Sequence, residues 1–149
     1  MAPEIRRASR SDVDAIVEMV RSFYAESAYP FDAAHVFAAV DGLLSDPRRG
    51  RAWVVVDEGA PVGYGVLTYG YSIEYGGVDA FVDELWIAPA LRGGGLGTRI
   101  LDLVDEECVK KSVGALHLEV ERENPAAERM YRARGFVGGN RRLVTKRFD

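Results

Sequence analysis

Four glycines and an arginine crowd six positions at Arg92-Gly93-Gly94-Gly95-Leu96-Gly97, directly after an apolar strand-like segment and directly before residues in helical period. Without Cβ atoms the chain can turn sharply and aim successive backbone N–H groups at one anion. The unpaired N–H groups of a first helical turn add the positive end of the helix dipole. Together these make a phosphate cradle, with Arg92 as a fixed charge at its rim. The same residues also build an ordinary tight strand-to-helix turn. Two nucleotide motifs are excluded. A Walker loop requires Gly-Lys-Ser/Thr, and Gly97 is followed by Thr98 and Arg99. A G-x-G-x-x-G fingerprint would need glycine at Thr98 or at Ile100. The loop therefore points to another phosphate ligand.

Two adjacent carboxylates, Asp83 and Glu84, stand on the strand before the loop, and Glu119 on a later one. Consecutive residues of a regular strand face opposite sides, so one of Asp83 and Glu84 looks into a cleft, and Asp83 shares parity with Leu85 and Ile87. A solvated structural carboxylate remains the alternative for each. Asn124 and Tyr131 are seven positions apart, nearly two turns, and so share one helical face. Tyr131 also belongs to a stripe with Ala127, Met130 and Arg134, which reads equally as packing. Cys108 continues the apolar stripe of Leu96, Ile100, Leu103 and Val104 and is expected in the core, not as a nucleophile. His35 and His117 are far apart, and no metal site is expected.

These residues need elements to hold them. Ile5–Ala8 reads as a first strand, Ser11-Asp12-Val13-Asp14 as a helix start, and Val13, Ile16, Val17 and Val20 as that helix's apolar face. An aromatic connection from Phe23 to Phe31 precedes a second helix over Asp32–Leu44. Trp53–Val56 and Val62–Tyr71 form a hairpin about Glu58-Gly59, and after Gly76-Gly77 the strand Ala80–Ile87 feeds the glycine loop. A helix follows the loop, and Ala115–Glu121 alternates as a strand. Asn124-Pro125 starts and Gly135 ends a last helix. Phe136-Val137 and Leu143–Phe148 read as two closing strands.

The 149 residues suit one domain spanning 1–149, and 48% hydrophobic with 28% charged residues is a globular balance. A net charge of −4 disfavours nucleic acid as a partner, and the basic residues between Arg129 and Arg147 read as a solvated face. A single cysteine, no membrane-length apolar run and no signal-peptide pattern predict a cytoplasmic protein without a membrane partner.

The segment from Val82 to Phe136 resembles the GNAT superfamily of acyl-CoA-dependent N-acetyltransferases. The signature Q/R-x-x-G-x-G/A is met at Arg92, Gly95 and Gly97, and Leu118-Glu119-Val120, Asn124, Met130-Tyr131 and Arg134-Gly135-Phe136 follow in the family's order. The resemblance implies an α/β (α+β) fold: a mixed, mostly antiparallel sheet of six to seven strands flanked by four helices. It implies acetyl-CoA as cosubstrate, without a metal. Its pyrophosphate would lie on Arg92, Gly93, Gly94, Gly95, Leu96, Gly97 and Thr98. Its pantetheine arm would lie along Leu85, Trp86 and Ile87, where this strand and the one at Leu116–Val120 splay apart. Asn124 and Tyr131 would complete the cofactor contacts.

The implied reaction moves an acetyl group to a primary amine by direct attack in a ternary complex. The Ile87 N–H would face the thioester carbonyl, Tyr131 would protonate the leaving thiolate, and Asp83, Glu84 or Glu119 would take the amine's proton. The stretch from Gly63 through Glu74-Tyr75-Gly76-Gly77 to Asp83-Glu84 is similar to the diamine and polyamine acetyltransferase branch. With Tyr24, Glu26, Tyr29, Phe31 and Asp32 as an aromatic and acidic pocket, it points to a small cationic amine. A protein N-terminal or lysine acetyltransferase and a non-catalytic CoA-binding sensor are the alternatives, and the family admits a homodimer.

Overall fold

The computed structural model describes residues 2–121 and 124–148. The chain divides into two compact units, Met1–Leu118 and Glu119–Asp149. The first contains β1 (Glu4–Arg7), α1 (Val13–Ser27), α2 (Ala33–Ser45), β2 (Gly50–Asp57), β3 (Ala60–Ser72), β4 (Gly77–Ile87), α3 (Leu96–Lys110) and β5 (Leu116–His117). The sheet runs β1-β2-β3-β4-β5, antiparallel except for the parallel pair β4–β5.

Local chemistry sets most boundaries. Asp12 accepts from the Ser9 N–H at 2.8 Å and from Arg6 through two bonds of 2.8 and 2.9 Å. This capping arrangement ties the start of α1 to β1. Asp32 caps α2 by accepting from the His35 N–H at 3.2 Å. Glu58 and Gly59 take φ of 50° and 80°, the left-handed pair that a tight hairpin between β2 and β3 requires.

Alternation along β2, β3 and β4 divides the core between two faces. On one, Ala52, Val54, Tyr64, Val66 and Trp86 pack against Ile16, Val17 and Val20 of α1 and Val36 of α2. On the other, Trp53, Val55, Leu67, Ala80 and Ile87 meet Leu96, Ile100 and Val104 of α3. Burying both faces is what a sheet with helices on each side demands. Glu107 anchors the far end of α3 by accepting from Arg7 at 2.5 Å and from the Tyr69 hydroxyl at 3.3 Å. Cys108 packs in the α3 core as expected, and burial pushes its thiol up to about 11.

In the second unit, α4 (Pro125–Ala133) starts at Asn124, whose Oδ1 accepts from the Ala127 N–H at 3.2 Å, and Gly135 leaves it at φ 95°.

Among the described residues the four expected α-helices are present, but the sheet has five strands where six to seven were expected. The expected strand Ala115–Glu121 is reduced to Leu116–His117, and Phe136-Val137 and Leu143–Phe148 hold none. Alternation is a strand signal only where one face is buried and a ladder partner fixes the register. Leu143, Val144 and Phe148 are 67%, 80% and 86% exposed and meet neither condition. Among the described residues, no helix is long and apolar enough to cross a membrane.

Candidate active site

The site is organised by one irregularity in β4. Val66 of β3 faces Glu84 and Leu67 faces Val82, which leaves Asp83 as an extra, unpaired residue. Backbone direction shows the consequence. The Ala80 N–H donates to Ala115 O on the β5 side at 3.0 Å, whereas the Ala88 N–H donates to Val62 O on the β3 side at 2.8 Å. Residues of equal parity should point the same way in a regular strand, so the bulge at Asp83 reverses the sense of everything after it. The parity expected for Asp83 with Leu85 and Ile87 therefore does not carry through the bulge. Ala80 and Val82 face α3 before it, Leu85 and Ile87 face α3 after it, and Trp86 packs on the opposite core.

Two features of the strand edge follow. With the Ala88 N–H turned to β3, alternation turns the Ile87 N–H to the opposite edge. Beyond Phe81 that edge has no strand partner among the described residues. The backbone groups of Leu85 and Ile87 thus face this edge without a strand partner, the Ile87 carbonyl accepting from Arg92 instead, while those of Trp86 between them face β3.

The bulge also sets the carboxylates. Glu84 points toward α1, where Tyr24 donates to its Oε2, and Tyr64 donates to its Oε1 at 2.6 Å. Burial raises the Glu84 carboxyl above its ordinary pKa, the two phenols counter that, and neighbouring Asp83 adds to the rise. Asp83 keeps an exposed side chain, yet the protein around it removes enough solvent to raise its carboxyl as well.

Tyr64 is a site residue that sequence reasoning misses. Its signal is a tyrosine at a core-facing strand position, where a buried hydroxyl must find a partner. Of the aromatic connection, Tyr24 reaches the site, while Phe23, Tyr29 and Phe31 pack edge-on around it at 5.8 to 6.2 Å or against one another. Asp32 is engaged as the α2 cap.

Glu26 joins this wall to the glycine loop. It accepts from Trp86 Nε1 at 3.3 Å and from Arg92 at 2.8 Å, and Arg92 Nε donates to the Ile87 carbonyl at 2.9 Å. Gly93 and Gly95 both take φ of 86°, a left-handed value that L side chains rarely adopt. Gly95 caps α3, and nothing lies within 4 Å of where a Cβ would stand on Gly93, Gly95 or Gly97. The loop face is open, with Gly94 and Thr98 exposed and Leu96 turned into the core.

Asn124, Tyr131 and Glu119 lie in the second unit. Asn124 caps α4, the Tyr131 ring meets Phe136 edge-on at 5.8 Å, and Glu119 is exposed outside any strand. Burial raises the Tyr131 phenol and keeps it protonated at neutral pH. His117 bonds Asp79 at 3.0 Å between the rings of Tyr75 and Phe81. Among the described residues no group of three or more His, Cys, Asp or Glu is placed to hold a metal ion.

The family model described as Acetyltransferase (GNAT) family matches residues 14–136, across both units. The chain belongs to the GNAT family. It is 32% identical to thialysine N-epsilon-acetyltransferase of Bos taurus over 50% of this chain and 43% of that protein. To the Mus musculus protein of the same name it is 26% identical over 88% of this chain and 82% of that one. Among solved structures, an integron cassette protein from the mobile metagenome of Cole Harbour Salt Marsh superposes with a TM-score of 0.86 at 33% identity. That match covers 97% of this GNAT chain and 90% of the other.

Proposed function

We propose that this GNAT protein transfers an acetyl group from acetyl-CoA to the primary amine of a small cationic molecule. One observation carries the reading. Two adjacent carboxylates, both raised above their ordinary pKa, sit at a bulge where β4 frees an edge that runs into the open glycine loop. A carboxyl raised toward neutrality is a better proton acceptor for catalysis at that pH than an ordinary one. Its position beside a cofactor track makes proton removal useful.

In this reading the Gly93–Thr98 loop holds the pyrophosphate with Arg92 at its rim, and the Leu85–Ile87 edge holds the pantetheine arm. The amine nitrogen attacks the thioester carbonyl carbon. Charge gathers on the carbonyl oxygen, where the Ile87 N–H stabilises it. The C–S bond then breaks and an amide is formed. Asp83 takes the proton released from nitrogen, and Tyr131 gives its proton to the thiolate. Asp83 is preferred to Glu119 because desolvation raises its pKa, and to Glu84 because both Glu84 oxygens are held by phenols. Glu84 supplies fixed negative charge for the cationic acceptor. The relatives' name, which places transfer on an ε-nitrogen of thialysine, supports a small amine.

The test mixes purified protein with acetyl-CoA and a panel of polyamines, lysine-like amines, amino sugars and peptides, and follows thiol release. Turnover with small di- or polycations is expected. Turnover only with peptides overturns the small-cation assignment, and no turnover with any amine overturns acetyl transfer.

A further inference from the structure

We propose that Glu26 is a positioning residue that couples the two substrates, because its carboxylate and the cofactor's phosphates compete for the same guanidinium, Arg92. The proposal rests on the acetyl-transfer reading above and adds to it a link between its halves. Glu26 lies in the last turn of α1, two residues beyond Tyr24, whose hydroxyl reaches Glu84. Its link to the wall that a cationic amine would meet is Trp86, whose Nε1 donates to Glu26 and whose ring lies 6.4 Å from that of Tyr64, the second phenol on Glu84. Arg92 opens the glycine loop, and its charge stands 2.6 Å from Glu26.

Three features make this contact an exchangeable one. The Glu26 and Arg92 side chains are 40% and 44% exposed, and an ion pair in that setting shifts an equilibrium by up to about fivefold. A phosphate offers the same guanidinium a charge-assisted, two-pronged contact of the same kind, so it can take the carboxylate's place. The Ile87 carbonyl holds Arg92 Nε at the end of β4, so the head of the side chain can change partner without the whole residue moving. When Arg92 turns to phosphate, Trp86 Nε1 still holds Glu26 in place, and its uncompensated charge faces the amine instead. Cofactor then strengthens amine binding, and by linkage amine strengthens cofactor binding by the same factor.

Calorimetry with CoA, with and without the best amine from the panel, tests this on wild type and on Glu26→Gln. Gln keeps an acceptor for Trp86 and removes only the charge. Wild type should bind CoA on the order of fivefold more tightly with saturating amine. In Glu26→Gln that enhancement should vanish, the amine KM should rise, and CoA alone should bind as tightly as to wild type or more tightly. Glu18→Gln removes the same charge earlier on the same helix, where the partner is Arg21, and should change none of these. Weaker CoA binding by Glu26→Gln would make Glu26 a simple brace for the loop and overturn the proposal. An enhancement that survives the substitution overturns it too. If wild type binds CoA and acetylates amines, either result leaves the acetyl-transfer reading standing; if wild type binds no CoA, both fall together.

Discussion

Tyr24 on α1 donates a hydrogen bond to Glu84 on β4, and Tyr64 on β3 donates to the other oxygen of the same carboxylate at 2.6 Å. Burial and the adjacent carboxylate raise the pKa of both phenols, so both remain donors throughout the neutral range. A carboxylate whose two oxygens each accept from a fixed phenol keeps its position and direction. Glu84 is thereby a tethered charge, and the exposed Asp83 beside it is the base proposed above.

Removing one phenol should loosen that tether. Tyr64 is 0% exposed, and Tyr64→Phe deletes its hydroxyl alone, which should cost about 1.5–3 kcal/mol for a hydrogen bond to a charged group. The amine KM should rise several-fold with acetyl-CoA affinity unchanged. Urea melts and initial rates measure the two effects. An unaltered KM would reduce Tyr64 to a packing residue.

Asp83→Asn should lower kcat by about 10² to 10⁴, the usual contribution of a positioned base. Because desolvation raises the Asp83 pKa, the acid limb of the wild-type rate should lie above the ordinary aspartate value of about 3.9. The residual activity of the Asn variant should lack that limb. A limb of the same position in both proteins would assign it to another group.

Glu84 makes a separate prediction for stability. Its folded pKa is raised, so its contribution is fully present below the unfolded value and is lost as pH rises through the folded one. Glu84→Gln has no such loss. The stability of Glu84→Gln minus that of wild type should therefore increase between about pH 4 and neutrality. Denaturant melts across that range give the difference, and a flat or falling one contradicts the raised pKa.

What the sequence disclosed was local. The helix starts at Asp12, Asp32 and Asn124, the stop at Gly135, the Glu58-Gly59 hairpin and the glycine loop all depend on neighbours within a turn, and all were legible. The bulge at Asp83 was not, because it exists only in the register of β4 against β3. The same holds for Tyr64 on Glu84, Glu26 on Arg92 and His117 on Asp79, which are pairs made by the fold between distant positions. The closing strands failed for the converse reason: Leu143 to Phe148 has the alternation of a strand but no buried face to enforce it.

The glycine loop can be tested for strain and space separately. Gly95 has φ 86°, so Gly95→Val strains the backbone by about 1–3 kcal/mol as well as filling the open side. Gly97 lies inside α3 with nothing within 4 Å of the place a Cβ would take, so Gly97→Ala should gain up to about 1 kcal/mol of helix stability. Both should weaken CoA binding if the phosphate approaches these backbone atoms. Calorimetry beside thermal melts separates the effects, and Gly97→Ala with higher stability and unchanged CoA affinity would move the cradle elsewhere.

Tyr131→Phe tests the acid role proposed for Tyr131. It removes the hydroxyl and keeps the ring, including the edge contact with Phe136 at 5.8 Å, so the second unit should keep its packing. Burial raises the Tyr131 pKa, which keeps a proton available at neutral pH for a thiolate leaving group. Losing that proton should reduce kcat by about 10² to 10⁴, or roughly 3–5 kcal/mol of barrier, with CoA affinity and amine KM little changed. The defect should shrink with an acetyl thioester of a more acidic thiol, because such a thiolate departs with less need of protonation. Equal defects with both donors would show that Tyr131 does not act on the sulfur. A kcat within about threefold of wild type would leave Tyr131 as an aromatic of the α4 stripe, since loss of a positioned acid costs far more.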